Sequence, residues 1–315
     1  MTSENTAFTS FLFEQYGLKA SDIKTLYAYE DVNLKVTTKG HDFFVKIHQH
    51  APASQLDFIS RFMQCLADNN VPTTPFLKNK SGKLWCLFEG KPCFVQKFIH
   101  GEVITSQNLT PEISFQIGVA LGRMHSISQR DNFPISPHTS TNSPWYPEKF
   151  STVIKHSTQV LPHIAKHLQT PIQDFFTLYK QEKSKFKLLK KGIVHTDFNR
   201  ENILIANNKI QSIIDFSDTS YSWYASDVGT AVFYIFTPDP ACWPNLTFFW
   251  QGYSQTFTLP ENDIKTIALF TQLRAITSLI ENIKDHKKTN QDAQKAIKYL
   301  NSDAQSDKIF SFLNP

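Results

Sequence analysis

Asp197, Asn202 and Asp215 carry the oxygen atoms that hard metal ions prefer, and they lie close together in the sequence. Two apolar runs rich in β-branched residues, 203–205 and 210–214, flank an Asn-containing stretch, which predicts a β-hairpin between Asn202 and Asp215. Mg²⁺ binds a few protein oxygens and completes its octahedron with water and phosphate oxygens. A carboxylate beside an amide oxygen at the open end of a hairpin therefore suits a metal–nucleotide complex.

The register of this hairpin decides whether the two side chains meet. If the turn spans residues 207–209, cross-strand partners have residue numbers that sum to about 416. Asn202 then lies opposite Ile214 and beside Asp215. We therefore predict that the amide and the carboxylate converge.

Asp197 is the candidate general base, because it stands in the irregular stretch before the first strand and can face the metal without binding it. In phosphoryl transfer, one Asp accepts the proton of the acceptor hydroxyl while an Asn and a second Asp hold Mg²⁺. Asp-x₄-Asn alone also occurs in loops as capping or turn chemistry. Its conjunction with the hairpin and with Ile-Asp-Phe at 214–216 favours phosphoryl transfer.

The motifs His-x-Asp-x₄-Asn, over 195–202, and Ile-Asp-Phe-x-Asp, over 214–218, resemble those of the aminoglycoside phosphotransferase and choline kinase superfamily. Hydroxylysine kinase and type II homoserine kinase are closest in pattern. The resemblance implies an α+β, bilobal protein-kinase-like fold that uses ATP and Mg²⁺. A small N-terminal lobe with an antiparallel sheet and a helix would span residues 1–98 and bind the nucleotide. A larger, mostly helical lobe over 99–315 would carry the catalytic hairpin and bind the acceptor.

The same resemblance implies a role for each residue of the motifs. Asp197 is implied as the catalytic base, Asn202 and Asp215 as Mg²⁺ ligands, and His195 as a structural residue that braces the catalytic loop. Thr196 stands where such enzymes most often have Gly. Because a β-branched residue is poor at positive φ, either the backbone is ordinary at this position or the loop differs in detail.

Residues 26–37 and 42–47 predict two paired strands, and Lys46 lies on the second. An ammonium on a rigid strand can bind the α- and β-phosphates of a nucleotide, although a solvent-facing lysine on an edge strand is the alternative. The chain has no Gly-x-Gly-x-x-Gly loop, and by resemblance Asn33 and nearby amides would cover the phosphates instead. The helix predicted after Lys46 offers Asp57 as its ion-pair partner, with a helix-surface charge as an equal alternative.

The residues after a second predicted hairpin resemble the linker between the lobes of these kinases. Backbone groups of about Gln96 to Phe98 would then bind the adenine edge, and an ordinary strand end is the alternative. A helix with close-packing Gly118 and Gly122 should begin at Pro111. The Ser-, Pro- and Asn-rich stretch 126–147 predicts a loop between helices.

Composition excludes several classes of protein. The 315-residue chain is 41% hydrophobic with a formal net charge of +4, so nucleic acid is not an indicated partner. No long uncharged apolar stretch and no signal peptide is present, which indicates neither membrane nor secretion and leaves the cytoplasm as the expected location. The four cysteines lack metal-binding spacing and predict buried thiols. The oligomeric state is not indicated.

The segment after Asp215 constrains the acceptor. Residues 216–227 lead to the next predicted helix without Ala-Pro-Glu, so the platform on which protein kinases dock a peptide is missing and a small acceptor is favoured. Asp227 is expected to cap that helix and, by resemblance, to brace the catalytic loop. Aromatic residues are dense over 221–250, and their faces attract ammonium groups, although core packing explains most of them. Arg274 and Glu281 are candidates for the charged groups of an acceptor.

These features together predict an ATP- and Mg²⁺-dependent kinase. Its acceptor would be the hydroxyl of a small amine-bearing molecule, an amino alcohol or amino acid resembling homoserine, hydroxylysine, choline or an aminoglycoside. An atypical protein kinase and a nucleotide-binding pseudokinase are the alternatives.

Overall fold

The N-terminal part of the chain forms an antiparallel sheet, and buried residues alternate along its second strand. The computed structural model describes residues 3–28, 31–49, 52–129, 143–286, 291–300 and 311. It divides into two compact units, one of residues 1–101 with 211–214 and one of residues 102–210 with 215–315. The first unit contains α1 (Ser3–Tyr16), β1 (Ala20–Leu26), β2 (Val32–Thr38), β3 (Asp42–Ile47), α2 (Ala53–Asp68), β4 (Cys86–Phe88) and β5 (Lys91–Lys97).

The five strands are ordered β1-β2-β3-β5-β4, and all neighbours are antiparallel. Helix α1 packs on the sheet, and the core between them is formed by Phe8, Leu12, Leu34, Val36, Val45, Ile47, Cys93 and Val95. Strand β1 was not predicted as a separate strand, because its partly buried residues recur every third position and lack the two-residue period. The predicted strand 26–37 corresponds to β2, which begins at Val32; residues 29 and 30 lie outside the described part of the chain.

The second unit is mostly helical. It contains β6 (Glu102–Val103), α3 (Pro111–Ser128), α4 (Phe150–Val160), α5 (Lys166–Glu182), β7 (Lys191–Val194), β8 (Ile203–Ala206), β10 (Ser220–Trp223), α6 (Tyr224–Ala231), α7 (Asn245–Thr256), α8 (Glu261–His286) and α9 (Gln291–Leu300). Strand β9 (Lys209–Ile213) begins in this unit, and its residues 211–213 belong to the first. Strands β10 and β7 form one small sheet, and β6-β8-β9 form another. The predicted α+β class, with an antiparallel sheet in the first part and helices in the second, is confirmed.

Helices α3 and α7 approach each other closely at two glycines. A Cβ at Gly118 would overlap the carbonyl of Phe249, and one at Gly122 would overlap Tyr253 and Thr256. This confirms the predicted packing role of both glycines. Helix α3 starts at the predicted residue but ends at Ser128; residues 130–142 of the predicted loop lie outside the described residues.

The hairpin predicted between Asn202 and Asp215 is confirmed, with a tighter turn. Its loop contains only Asn207 and Asn208, whose φ values of 52° and 56° are those of a type I′ turn. The loop is one residue shorter than expected. No helix within the described residues is long and apolar enough to cross a membrane.

Candidate active site

The segment between β7 and β8 carries Asp197 and Asn202, and Asn199 organises it. The side-chain oxygen of Asn199 accepts hydrogen bonds from the amides of Glu201 (2.8 Å) and Asn202 (3.1 Å), which starts a short 3₁₀ turn. Its Nδ2 donates to Asp197 Oδ2 at 2.9 Å. The Asn202 side chain also binds Asp197. Its Nδ2 donates to the backbone carbonyl of Asp197 at 2.9 Å and to the Asp197 carboxylate oxygen Oδ2 at 3.1 Å. The structure therefore joins two of the residues predicted from the sequence.

The orientation of the Asn202 amide fits a metal ligand. Both of its described side-chain contacts use the nitrogen, so the carbonyl oxygen Oδ1 receives no hydrogen bond from any described residue. A hard cation takes such an oxygen. The described residues contain no group of three or more His, Cys, Asp and Glu side chains able to hold a metal. Mg²⁺ uses one or two protein carboxylates and takes its other ligands from phosphate and water.

Asp215 lies just beyond the other end of the hairpin, in the left-handed conformation with φ 58° and ψ 67°. Asp is one of the residue types that tolerate this region. Its Oδ1 accepts from the Ser217 amide at 3.4 Å, which begins a second 3₁₀ turn. The joint use of Asp215 and Asn202 as metal ligands stays a prediction.

A buried carboxylate, Asp227, holds the catalytic loop. Its oxygens accept from the amides of His195 and Thr196, both at 2.9 Å, and from Nε2 of His125 at 3.1 Å. Burial disfavours its ionisation, yet the hydrogen bond and charge of His125, with His195, hold the pKa of Asp227 below its ordinary value. The predicted bracing is therefore present. The predicted cap is not, because helix α6 begins at Tyr224 and the carboxylate bonds the loop instead of its own helix.

Thr196 adopts positive φ, at 71°, in spite of its β-branched side chain. The sequence left open whether the backbone is ordinary here or the loop differs in detail. The positive φ excludes an ordinary backbone. The conformation is supported by the amide bond to Asp227 and by a 2.7 Å hydrogen bond between Thr196 Oγ1 and Ser220 Oγ. His195, fully buried, packs its ring 4.7 Å from that of Phe216. Its position agrees with a structural role.

Arg274 of α8 reaches Asp197 from a distant part of the sequence. Its Nη2 donates to Asp197 Oδ1 at 2.6 Å, its Nε to the Tyr234 hydroxyl at 3.3 Å and its Nη1 to the Trp145 carbonyl at 3.4 Å. The guanidinium carbon lies 4.7 Å from the Trp145 ring centre and 5.2 Å from that of Tyr234. Arg274, Trp145 and Thr196 line one pocket. Tyr234 belongs to a π-helical turn after α6, a feature that often marks functional sites.

The environment of Arg274 keeps it charged. Burial lowers its pKa, but the neighbouring Tyr234, Asp197 and Asp218 raise it above the ordinary value overall. Asp218 thus contributes negative charge near this guanidinium. Glu281, the other candidate for binding the acceptor, accepts from His156 Nδ1 at 2.7 Å and pairs with a lysine on its own helix, so its carboxylate is already bound.

In the N-terminal unit, Lys46 is buried on β3, which excludes the solvent-facing alternative. Its Nζ pairs with Asp31 Oδ2 at 3.4 Å, and His48 Nδ1 lies 3.0 Å from the same oxygen. Burial opposes ionisation of Asp31, but His48 and Lys46 lower its pKa to about 2. Asp57 instead accepts from the Trp85 indole at 2.8 Å, so its predicted pairing with Lys46 is wrong. A short loop before β2, rather than helix α2, supplies the acid.

Asn33 lies directly across from Lys46 on β2, so their side chains share one face of the sheet. The Asn33 amide donates to the Tyr27 carbonyl at 3.3 Å. The two N-terminal residues expected at the phosphates are therefore neighbours. Whether they bind a nucleotide stays a prediction.

The pairing of β5 with β3 determines which backbone groups of the predicted adenine-binding stretch point away from the sheet. The Phe98 amide donates to the Asp42 carbonyl at 3.0 Å, and the Gln96 side chain donates to the Thr74 carbonyl. Hydrogen-bonded positions alternate along an antiparallel pair, so the backbone of Gln96 also faces β3. Lys97, between them, directs its backbone N–H and C=O to the other edge.

Several contributing residues were missed by the sequence reasoning. Asn199, Trp145, Tyr234 and Asp31 carry no motif of their own, and Arg274 was only a candidate. A signal for Asn199 did exist, since Asn before a short turn is a strong cap. The others are recognisable only once the chain has folded.

Comparison with known proteins gives one family. The model of the phosphotransferase enzyme family matches residues 28–256. Hydroxylysine kinase from Danio rerio is 21% identical over 84% of this chain and 79% of its own length. Homoserine kinase from Nitrobacter hamburgensis is 25% identical over 85% and 82%.

Among solved structures, amicoumacin kinase in complex with AMP-PNP and Ca²⁺ has a TM-score of 0.71 at 16% identity, covering 98% of this chain and 94% of that one. This similarity confirms the predicted protein-kinase-like fold. The family match spans the catalytic loop, the hairpin and the Lys46 strand. The chain belongs to the phosphotransferase enzyme family.

Proposed function

We propose that this protein is an ATP- and Mg²⁺-dependent kinase that phosphorylates a hydroxyl group of a small amino alcohol or amino acid. One observation carries the proposal. The Asn202 amide nitrogen donates hydrogen bonds to Asp197, and within the described part of the chain nothing donates to its amide oxygen, so a candidate base and a candidate metal ligand are in direct contact. In the catalytic loop of protein kinases, one Asp takes the hydroxyl proton and a following Asn holds Mg²⁺.

Each residue then has a distinct task. Asp197 accepts the proton of the acceptor hydroxyl as the phosphoryl group is transferred. Asn202 Oδ1 and the Asp215 carboxylate would hold Mg²⁺, which when bound neutralises charge on the phosphates. Lys46, held by Asp31, would supply a fixed positive charge to the nucleotide.

The remaining nucleotide contacts come from the backbone. Asn33 and its neighbours would cover the phosphates, since Asn33 shares a sheet face with Lys46. In the 96–98 linker, which the sequence suggested for adenine, the outward-facing backbone groups of Lys97 are best suited to the base.

The acceptor class is supported by the relatives, which are named as kinases of hydroxylysine and homoserine. Choline and aminoglycosides are further members of the class to be tested. We place the activity in the cytoplasm, where the four free cysteines would stay reduced.

The test is ATP consumption by the purified protein with a panel of amino alcohols, hydroxy amino acids and aminoglycosides. We expect turnover of at least one small acceptor, dependent on Mg²⁺. Asp197→Asn should lower kcat by about 10²–10⁴ while nucleotide binding is retained. Asp174→Asn, on the exposed face of α5, is the matched control and should keep wild-type activity.

Two results would contradict the proposal. Labelling of a protein without turnover of any small molecule would favour an atypical protein kinase. Nucleotide binding without any turnover would make the protein a pseudokinase.

A further inference from the structure

The Arg274 guanidinium is a charged hydrogen-bond donor that the proposed chemistry does not use. It is buried beside the rings of Trp145 and Tyr234, with a side-chain exposure of 6%. Arg has five N–H donors in a fixed fork. The three contacts to described residues use one each, which leaves two uncommitted within the described chain.

These donors lie where the acceptor must bind. Nη2 is 2.6 Å from Asp197 Oδ1. The other carboxylate oxygen, Oδ2, already accepts from two side-chain amides, of Asn199 and Asn202. The acceptor hydroxyl is therefore expected at Oδ1, and a general base must come within about 2.6–3.2 Å of the hydroxyl it deprotonates. The hydroxyl then lies within roughly 6 Å of the guanidinium, so a group a few bonds away on the acceptor contacts Arg274.

The charge of the site selects the chemistry of that group. A buried guanidinium with unfilled donors repels an ammonium and attracts a carboxylate, which it can bind through two parallel hydrogen bonds. Asp197 is its described carboxylate contact, and an incoming carboxylate would share or replace that contact. Asp197 would then be free to turn towards the hydroxyl.

We infer that Arg274 binds a carboxylate of the acceptor, so that the substrate is a hydroxy acid or hydroxy amino acid and not an amine without an acid group. The inference deepens the proposed kinase function and rests on it. It separates homoserine- and hydroxylysine-like acceptors from choline and aminoglycosides. Trp145 and Tyr234 act as positioning residues, because they orient the guanidinium.

The experiment uses three acceptors that differ by one group. L-Homoserine carries an amine and a carboxylate, 4-hydroxybutyrate only the carboxylate, and 3-aminopropan-1-ol only the amine. Hydroxylysine and its decarboxylated analogue form a longer pair. We expect kcat/KM to be higher by at least about 10² for the member that keeps the carboxylate, as for a site that binds a polar group directly. This comparison uses the wild-type protein and does not depend on a variant folding.

Arg274→Gln and Arg274→Lys then test the residue itself. Both should raise KM for the acid acceptors by about 10-fold or more, and should reduce the preference for the acid member of each pair. A purely structural Arg274 would lower kcat for all acceptors alike. Arg123→Gln, exposed on α3, controls for removal of an arginine and should leave the preference unchanged.

Calorimetric titration of the same compounds separates this inference from the kinase function. Carboxylate binding that Arg274→Gln abolishes, without ATP consumption by any acceptor, would support the inference and overturn the proposed function. ATP consumption with amine-only acceptors at equal or higher kcat/KM would overturn the inference and leave the function standing. Absence of both carboxylate binding and carboxylate turnover would also overturn it.

Discussion

Asp227→Asn should be the substitution in the catalytic region that reports most directly on how the loop is held. The wild-type carboxylate accepts three hydrogen bonds, from the amides of His195 and Thr196 and from His125. It is 1% exposed, so water cannot replace these partners. An Asn at this position has one acceptor oxygen and one NH₂ group. At least one of the two backbone amides would then face the NH₂ group of the Asn instead of an acceptor oxygen.

The expected loss in the free energy of unfolding follows from these three hydrogen bonds. Hydrogen bonds to a charged group contribute about 1.5–3 kcal/mol each, and leaving a buried donor unsatisfied costs about 1–3 kcal/mol. We expect Asp227→Asn to lower the free energy of unfolding by about 3–5 kcal/mol, as for removal of one partner of a buried pair. Because the loop carries Asp197, kcat should fall by about 10²-fold in the molecules that remain folded.

The same residue predicts a pH dependence. The pKa of Asp227 is lower in the folded protein than its ordinary value of 3.8, so the folded state binds this proton less readily. Its contribution to stability is present above about pH 4 and is lost as the pH falls through the lowered pKa. The difference in the free energy of unfolding between wild type and Asp227→Asn should therefore be largest at neutral pH and become smaller in acid.

Urea denaturation followed by circular dichroism at pH 7 and pH 3.5 measures both effects. Asp174→Asn on the exposed face of α5 serves as the control and should change stability by less than about 0.5 kcal/mol. A loss below about 1 kcal/mol for Asp227→Asn at pH 7, or full activity with large destabilisation, would refute the bracing role.

Substitutions at three further positions test other parts of the structure. Asp31→Asn should weaken ATP binding by about 10-fold, because Lys46 loses the carboxylate that orients it. Nucleotide titration measures this effect, with Asp57→Asn as the control. Equal effects of the two substitutions would refute the pairing of Lys46 with Asp31. Thr196→Gly relieves positive φ but loses a buried hydroxyl bond, so unfolding free energy should change by less than about 1 kcal/mol, whereas Thr196→Val should lose about 1–3 kcal/mol. Gly118→Ala should lower the free energy of unfolding by about 1–3 kcal/mol through overpacking against α7, and an unchanged melting temperature would contradict that packing.

Local features of the site could be predicted from the sequence because they depend on short-range rules. The hairpin follows from β-branched runs around Asn207 and Asn208, which tolerate the positive φ of a type I′ turn. The contact between Asp197 and Asn202 follows from a spacing that one short turn can bridge. The predicted loop was one residue too long, because the two Asn residues are compatible with more than one loop length.

Features that depend on tertiary contacts could not be predicted in the same way. Arg274 meets Asp197 only because α8 passes the catalytic loop, and sequence spacing carries no trace of that contact. Tyr234 reaches Arg274 from a π-helical turn within a segment whose sequence predicts a regular helix. Propensity rules do not distinguish such a turn from an α-helix, since both follow the same apolar pattern.

The error about the partner of Lys46 has a physical origin. From the sequence, a partner for Lys46 is sought on the helix that should lie nearby, and this choice selects Asp57. A buried ammonium requires a carboxylate within ion-pair distance, but that carboxylate can come from any segment, and here Asp31 supplies it from the loop before β2. In the same way, a buried guanidinium beside Asp197 requires anions, and the sequence alone left open whether the acceptor supplies one. The requirement for a counter-charge can thus be predicted from the residue type, whereas its source is decided by the path of the chain.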